Sequence, residues 1–473
     1  MNRRNAIRLF PLSLAGMAGM TNRVLAADND WDKRWPVVPG EPLAKLYSRR
    51  VRERLTWVRE NQSESLMEAA HAIADTIAAG GKCYQSNWDA GHTESDSWPG
   101  RNGEPDIFST DWDLGKAKKG DLLLTTGQTE NGEEIKKKGI FIIGCPSPWS
   151  GDARYPELLR DDVRKIVIRP YADIFIENQA TVLGGMVSVP GMPAPLGAES
   201  GIVGKTTIWM MLSDACRILA RKGISRSVKG DEPKLKGDNI DYKSFGGWVN
   251  LTEPLMDDYF TTAMQQIEMV FAEFGTIRKI ASVAVETVLD GGKIYGYSKY
   301  NSIAGEADSR RSGLTITQGV YGSHLDTKDK RKDFQGTSKD FVIMGITKPD
   351  DEIDLAMLDT FKERGMKIAS LGPMTRSIQV PKGRTVPKET NYHAGRMIDT
   401  YGLFAVPGFD QRVCPTSGIV LDHLWWCTIM ELVDQYMTRT GGDIPGTFYS
   451  GALKGGMEYY FRMLETYRDQ RYK

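Results

Sequence analysis

The chain has 473 residues, too many for one ordinary domain and enough for two. Its 61 basic and 61 acidic side chains cancel, and 40% of its residues are hydrophobic against 26% charged. That composition fits a globular protein and argues against nucleic-acid or membrane-surface binding driven by net charge.

Residues 1–27 come first. Arg3 and Arg4 precede an apolar run from Leu9 to Met20, and Val24-Leu25-Ala26 leads to Ala27. This order predicts a signal peptide of the twin-arginine (Tat) kind, and therefore export to the periplasm or beyond. No later apolar stretch reaches the roughly 18–20 residues a membrane span needs, so none is expected.

A helical pattern over 65–79 follows, with Leu66, Ala69, Ala70, Ile73 and Ile77 on one face, and it stops at Gly80-Gly81-Lys82 before Cys83-Tyr84. The same order returns later: a helix over 278–289, then Gly291-Gly292-Lys293 and Ile294-Tyr295. Asp121-Leu-Leu-Leu-Thr125 matches Asp340-Phe-Val-Ile-Met344, each an apolar run suited to a strand buried on both faces. Residues 139–143 match 366–371 as the next strand, and Ser200-Gly201-Ile202-Val203 recurs unchanged as Ser417-Gly418-Ile419-Val420 before a long apolar helix. Gly80 and Gly291 are 211 residues apart, Ser200 and Ser417 are 217 apart, and the order is kept throughout. The chain is therefore expected to be an internal duplication. Alternating helices and strands imply right-handed βαβ crossovers, so the fold class is α/β with parallel sheets. The expected organisation is a first unit over 41–224, an aperiodic linker over 225–252 and a second unit over 253–473.

Cys83, Cys145, Cys216, Cys414 and Cys427 are widely spaced and form no CxxC pair. They read as small buried hydrophobes, their disulfide state is open, and neither a metal site nor a cofactor is expected. Gly201-Ile-Val-Gly204-Lys205-Thr206-Thr207 imitates a nucleotide-binding loop, but Glu199 stands where glycine is required and the repeat places Asp422 opposite Lys205.

Taken together, these segments resemble SIS (sugar isomerase) domains, which makes the expected architecture two tandem SIS-like three-layer αβα sandwiches. Gly91-His92-Thr93 resembles the family's turn after the first strand, and Arg101-Asn102-Gly103 follows it. In the second copy Asn301-Ser302, Glu306, Arg310 and Gly313-Leu314 fall in the corresponding places. The resemblance implies a hydroxyl-rich turn for an anionic or sugar ligand at the C-terminal sheet edge. Thr126-Gly127-Gln128-Thr129 offers part of one in the first copy. Leu124 replaces its first serine, and the second copy reads Gly345-Ile-Thr-Lys-Pro-Asp-Asp351, with neither serine and two acids.

Isomerising a sugar through an enediol needs a carboxylate base and often a histidine. His92, Glu94 and Glu199 are the candidate catalytic residues. Glu306, His324, His393 and His423 are the alternatives in the second half. Thr93, Thr126, Gly127, Thr129, Ser200, Ser302, Glu306, Arg310 and Ser417 are the candidate substrate-binding residues, although Ser200 and Ser417 would equally serve as helix caps. The expected function is an exported carbohydrate-derivative-binding protein, a sugar isomerase of the aldose–ketose type or a related enzyme. The alternatives are a non-catalytic sugar-binding or regulatory protein and a structural assembly protein whose Trp88, Trp98, Trp149 and Trp248 would bury a subunit interface. The expected partner is a small sugar or sugar derivative, with homo-oligomerisation open. A neutral or acidic sugar is favoured over a sugar phosphate, because sugar phosphates are scarce outside the cytoplasm.

Overall fold

The structure is a computed structural model that describes residues 40–86, 103–126, 130–146, 159–164, 168–179, 184–189, 192, 195–230, 234–235, 248–299, 303–308, 312–375, 381–396, 402–443, 445–448, 451 and 453–466. Helices α1 (Leu43–Asn61) and α2 (Ser63–Ala78) lead into the first sheet. Its strands are β1 (Cys83–Ser86), β2 (Phe108–Ser109), β3 (Leu122–Thr125), β4 (Phe141–Gly144) and β5 (Ile174–Phe175). Helix α3 (Gly132–Lys137) joins β3 to β4, and α4 (Ser200–Arg221) closes the unit.

The second unit repeats the plan. Helices α5 (Met256–Met269) and α6 (Phe274–Leu289) precede β6 (Ile294–Ser298), α7 (Ile303–Ala307) and β7 (Thr317–Tyr321). Then come β8 (Phe341–Gly345), α8 (Glu352–Glu363), β9 (Lys367–Leu371), β10 (Tyr392–Ala394), α9 (Ser417–Thr440) and α10 (Gly456–Thr466).

Strand order is β2-β1-β3-β4-β5 in one sheet and β7-β6-β8-β9-β10 in the other, so corresponding strands occupy corresponding places. Every pairing within the two sheets is parallel. The registers agree residue by residue. Cys83 pairs with Leu122 as Ile294 pairs with Phe341, and Leu122 pairs with Phe141 as Phe341 pairs with Lys367. The chain is two tandem α/β sandwiches of one strand order, with the all-buried strands Leu122–Thr125 and Phe341–Gly345 central in each.

Local chemistry explains the recurrences. Gly80 and Gly291 have φ of 82° and 79°, the left-handed helix stop where glycine carries no Cβ penalty. The glycine after each is required by close packing. A Cβ on Gly81 would lie 2.6 Å from the carbonyl oxygen of Gly120, and one on Gly292 would lie 2.1 Å from that of Lys339. Beside them Asp121 accepts from the backbone N–H of Lys82 at 2.9 Å, and Asp340 from that of Lys293 at 2.8 Å, tying strand to neighbouring turn. Asp173 and Asn391 do the same one strand over, accepting from Ile142 and Ile368 at 2.8 and 2.9 Å.

The two units are joined reciprocally. Helix α4 packs on α9, the leading helix α1 of the first unit lies on α9 of the second, and α5 lies on α4. Within the first unit Tyr47 of α1 donates to the carbonyl of Ala198 at 2.8 Å, and within the second its counterpart Tyr259 of α5 donates to that of Pro415 at 3.0 Å, fixing the segments that cross to the other unit. Gly197 N–H donates to Ser312 O at 3.1 Å, while Cys414 N–H donates to Gly103 O at 2.9 Å. Such exchange is what a two-fold relation between duplicated units requires. It also explains why α4 is buried from Ser200 to Leu219 and apolar on nearly every face: it has neighbours all round.

At the centre of this interface Lys205 and Asp422 form an ion pair, Nζ to Oδ2 2.6 Å, with both side chains 1% exposed. The linker is less loose than its composition suggests. Val228–Lys229 pairs antiparallel with Glu104–Pro105, and Val249 N–H donates to Ala405 O at 3.1 Å.

Candidate functional site

The first sheet's C-terminal edge carries two hydroxyls that stand out. Ser86 ends β1 and Thr126 directly follows β3, adjacent parallel strands in which Ser86 is in register with Thr125. Both are 2% exposed, and neither hydroxyl has a hydrogen-bond partner among the described residues. A buried hydroxyl left unmet costs about 1–3 kcal/mol, so such groups call for a ligand or water. In open α/β sheets, this edge is where ligands bind.

The second unit has closed the same place. Its register puts Tyr297 where Ser86 stands and Gly345 where Thr126 stands. Tyr297 donates to Asp354 Oδ1 at 2.8 Å, and Asp351 caps α8 by accepting from Ile353 and Asp354 N–H while pairing with Lys299 at 2.8 Å. Ile303 of α7 fills the space over Gly345, where a Cβ would come within 2.5 Å of its side chain. Burial first, then the Asp351 charge, pushes the Asp354 carboxyl up to about 8. Asp351, one of the two acids that break the family pattern in the sequence, thus forms an internal plug with Asp354, a tyrosine and a lysine.

Glu199 sits at the N-cap position of α4 and is fully buried. Ser200 and Ser417 are the first helical residues rather than the caps, and neither Glu199 nor Thr416 makes a side-chain capping bond. The described neighbours of the Glu199 segment include α1 and the second unit: Tyr47 on Ala198, Ser312 on Gly197, and Met430 of α9 against Gly197, beside Met186 of the first unit, whose N–H donates to Gly197 O. The Tyr47 phenol is held well above its usual range by burial first, then by Cys427, Glu199, Glu306 and Asp422. Glu199 and Glu306 therefore share one buried surround, built from both units, in which Trp426 donates its indole N–H to Glu306 Oε2 at 2.9 Å. His92, Thr93, Glu94, Gly127, Thr129, Ser302 and Arg310 lie outside the described residues, as does the segment 1–27.

Two histidines of the second half, His423 and His393, are placed as packing groups. His423 stacks on Tyr47 with ring centroids 5.7 Å apart and shares a hydrogen bond with Ser48 at 3.0 Å. Burial chiefly, and Arg52 secondarily, pushes its pKa down to about 3. His393 shares a 2.9 Å hydrogen bond with Ser370 and is pushed down to about 4 by burial and then Arg396. His324 is exposed, with its ring tilted against that of Tyr321 and the centroids 5.2 Å apart. Lys205, the apparent phosphate-binding lysine, is committed to Asp422. Among the described residues no cluster of His, Cys, Asp and Glu suits a metal ion, and no helix is long and apolar enough to cross a membrane. Ser86 and the Tyr297–Asp354 plug were missed by sequence reasoning; the only available signal was the β1–β6 alignment, which sets Ser86 against Tyr297.

No protein-family model matches the chain. A curated relative, a "UPF0309 protein" of Streptomyces griseus, is 24% identical over 226 residues, which is 40% of this chain and 85% of that protein. Among solved structures, a provisionally named sugar-binding protein from Salmonella typhimurium is 12% identical with a TM-score of 0.41, covering 81% of this chain and 99% of its own. The C-terminal domain of glucosamine-fructose-6-phosphate aminotransferase from Francisella tularensis is 10% identical with a TM-score of 0.39, covering 83% and 98%. A provisionally named phosphosugar isomerase from Silicibacter pomeroyi is 8% identical with a TM-score of 0.41, covering 85% and 99%.

Proposed function

We propose that the chain binds a carbohydrate derivative at the C-terminal edge of its first sheet, and that the matching edge of the second sheet no longer serves as a site. The observation that carries this reading is the pair of buried hydroxyls of Ser86 and Thr126, without a hydrogen-bond partner among the described residues, set against the Tyr297–Asp354 plug at the equivalent place. The resemblance to SIS domains supports it, with His92, Thr93, Glu94, Gly127 and Thr129 completing the site. A neutral or acidic sugar is the favoured ligand.

Calorimetric titration with matched phosphorylated and unphosphorylated sugars tests the reading. Thr126→Val is expected to weaken binding about tenfold, the equivalent of roughly 1.4 kcal/mol, without lowering stability, because it removes an unmet buried hydroxyl. Tyr297→Phe is expected to leave affinity unchanged. No binding across the panel, or equal affinity in Thr126→Val, overturns the proposal.

Isomerisation is the second reading, carried by Glu199, a fully buried carboxylate at the start of α4. A shielded carboxylate is suited to proton abstraction. Glu199→Gln should then abolish turnover while changing sugar affinity little; turnover unchanged in this variant removes Glu199 as the base.

Export by the Tat-like segment over 1–27 is part of the same proposal, supported by Arg3-Arg4 and the apolar run that follows. Mass spectrometry of periplasmic material is expected to find chains beginning near Asp28. Material confined to the cytoplasm with Met1 intact counts against it.

A further inference from the structure

We propose that Cys216 and Cys414 are a disulfide site that joins the two units covalently. Cys216 lies within α4 of the first unit, and Cys414 is the middle residue of the short strand Val413–Pro415, which packs on α4 and leads into α9 of the second. Both side chains are fully buried, both thiols are free in the structure, and Cys216 acts on the Cys414 thiol as a neighbour across the contact between α4 and strand 413–415.

A second feature singles out Cys414. Its φ is 63°, in the left-handed region that disfavours side chains other than glycine. The repeat shows what stands there when no thiol is needed: 217 residues earlier the first unit has Gly197, at φ 84° and with the equivalent cross-unit hydrogen bond. A strained cysteine that replaces a glycine and neighbours a second buried cysteine is the outlier from which a role is inferred.

Forming the bond removes two electrons and two protons from the thiol pair and delivers them to a disulfide-bearing oxidant, which leaves as two thiols. One cysteine thiolate attacks the oxidant's disulfide, expelling one thiol and leaving a mixed disulfide; the other cysteine attacks the protein sulfur of that intermediate and expels the second. Burial raises the Cys414 thiol well above its usual range, so the folded, reduced chain reacts poorly. Oxidation therefore accompanies folding, as strand 413–415 docks on α4 and while the thiols are still open to the oxidant. The bridge would lock the second unit's segment before α9 to the first, across the contact between Cys414 and Gly103.

The full chain, produced in an oxidising bacterial compartment, is alkylated under denaturing conditions and digested without reduction. The expected product is a single linked pair of peptides containing Cys216 and Cys414, lighter than their sum by two hydrogen atoms and lost on reduction. Cys83, Cys145 and Cys427 are expected to be alkylated. Cys414→Gly restores the first unit's residue and is expected to fold with Cys216 alkylated; Cys216→Ala should leave Cys414 alkylated. Five alkylated cysteines in the unmutated chain, or a bridge between any other pair, overturns the proposal.

Discussion

Lys205→Met alone is expected to destabilise the chain by about 3–5 kcal/mol, whereas Lys205→Met combined with Asp422→Leu should recover most of that loss. The single change leaves the Asp422 carboxylate in the interface between α4 and α9 without the ammonium 2.6 Å away, where neither side chain is more than 1% exposed. The double change removes both charges, and apolar side chains of similar volume pack there without a desolvation penalty. Denaturant midpoints followed by far-ultraviolet circular dichroism and by tryptophan fluorescence check this, since two packed units need not unfold in one step. Equal losses in the single and double variants would show that the site depends on shape rather than charge. The pair also has a consequence for assembly. Lys205 and Asp422 occupy repeat-equivalent positions, so a symmetric pairing of two identical units would set like charges together, and only the first-with-second arrangement joins opposite ones.

Stability is expected to fall as pH rises from about 4 to about 8, and Asp354→Asn should remove that part of the profile. The native carboxyl titrates at about 8 against 3.8 unperturbed. Between those values the unfolded chain has lost the Asp354 proton while the folded chain keeps it, so the folded state binds more protons and loses relative stability with each step up in pH. Below about 4 both states are protonated and the contribution is fully present; above about 8 both are ionised and the loss is complete. At about 1.36 kcal/mol per decade the upper bound is roughly 6 kcal/mol. Tyr297, Lys299 and Lys348 oppose the shift, but burial and the Asp351 charge outweigh them. Thermal melts of the parent and Asp354→Asn across this range provide the measurement, with the variant gaining most above pH 8. Parallel curves would mean that Asp354 is ionised in the fold.

By itself the sequence determined the duplication, the α/β class and the strand-by-strand correspondence, because each rests on local physics. Gly80-Gly81 and Gly291-Gly292 mark helix ends through φ and close packing, the runs at 122–125 and 341–345 mark strands buried on both faces, and Ser200-Gly201 and Ser417-Gly418 open the long helices. The erosion of the second copy's turn was legible too, in Asp350 and Asp351 where hydroxyls were due. Only the tertiary structure decided how the units are shared. It put the Glu199 segment against Ser312 of the other unit, sent α1 to α9 and α5 to α4, joined Lys205 to Asp422, and left Ser86 and Thr126 unmet among the described residues while Tyr297 found Asp354. These pairings connect residues from 57 positions apart, for Tyr297 and Asp354, to 375, for Ser48 of α1 and His423 of α9, and a hydroxyl at the end of a strand reads the same in sequence whether its partner is a protein side chain or a ligand. Periodicity reports which face of an element is buried; what buries it is settled only when the elements pack.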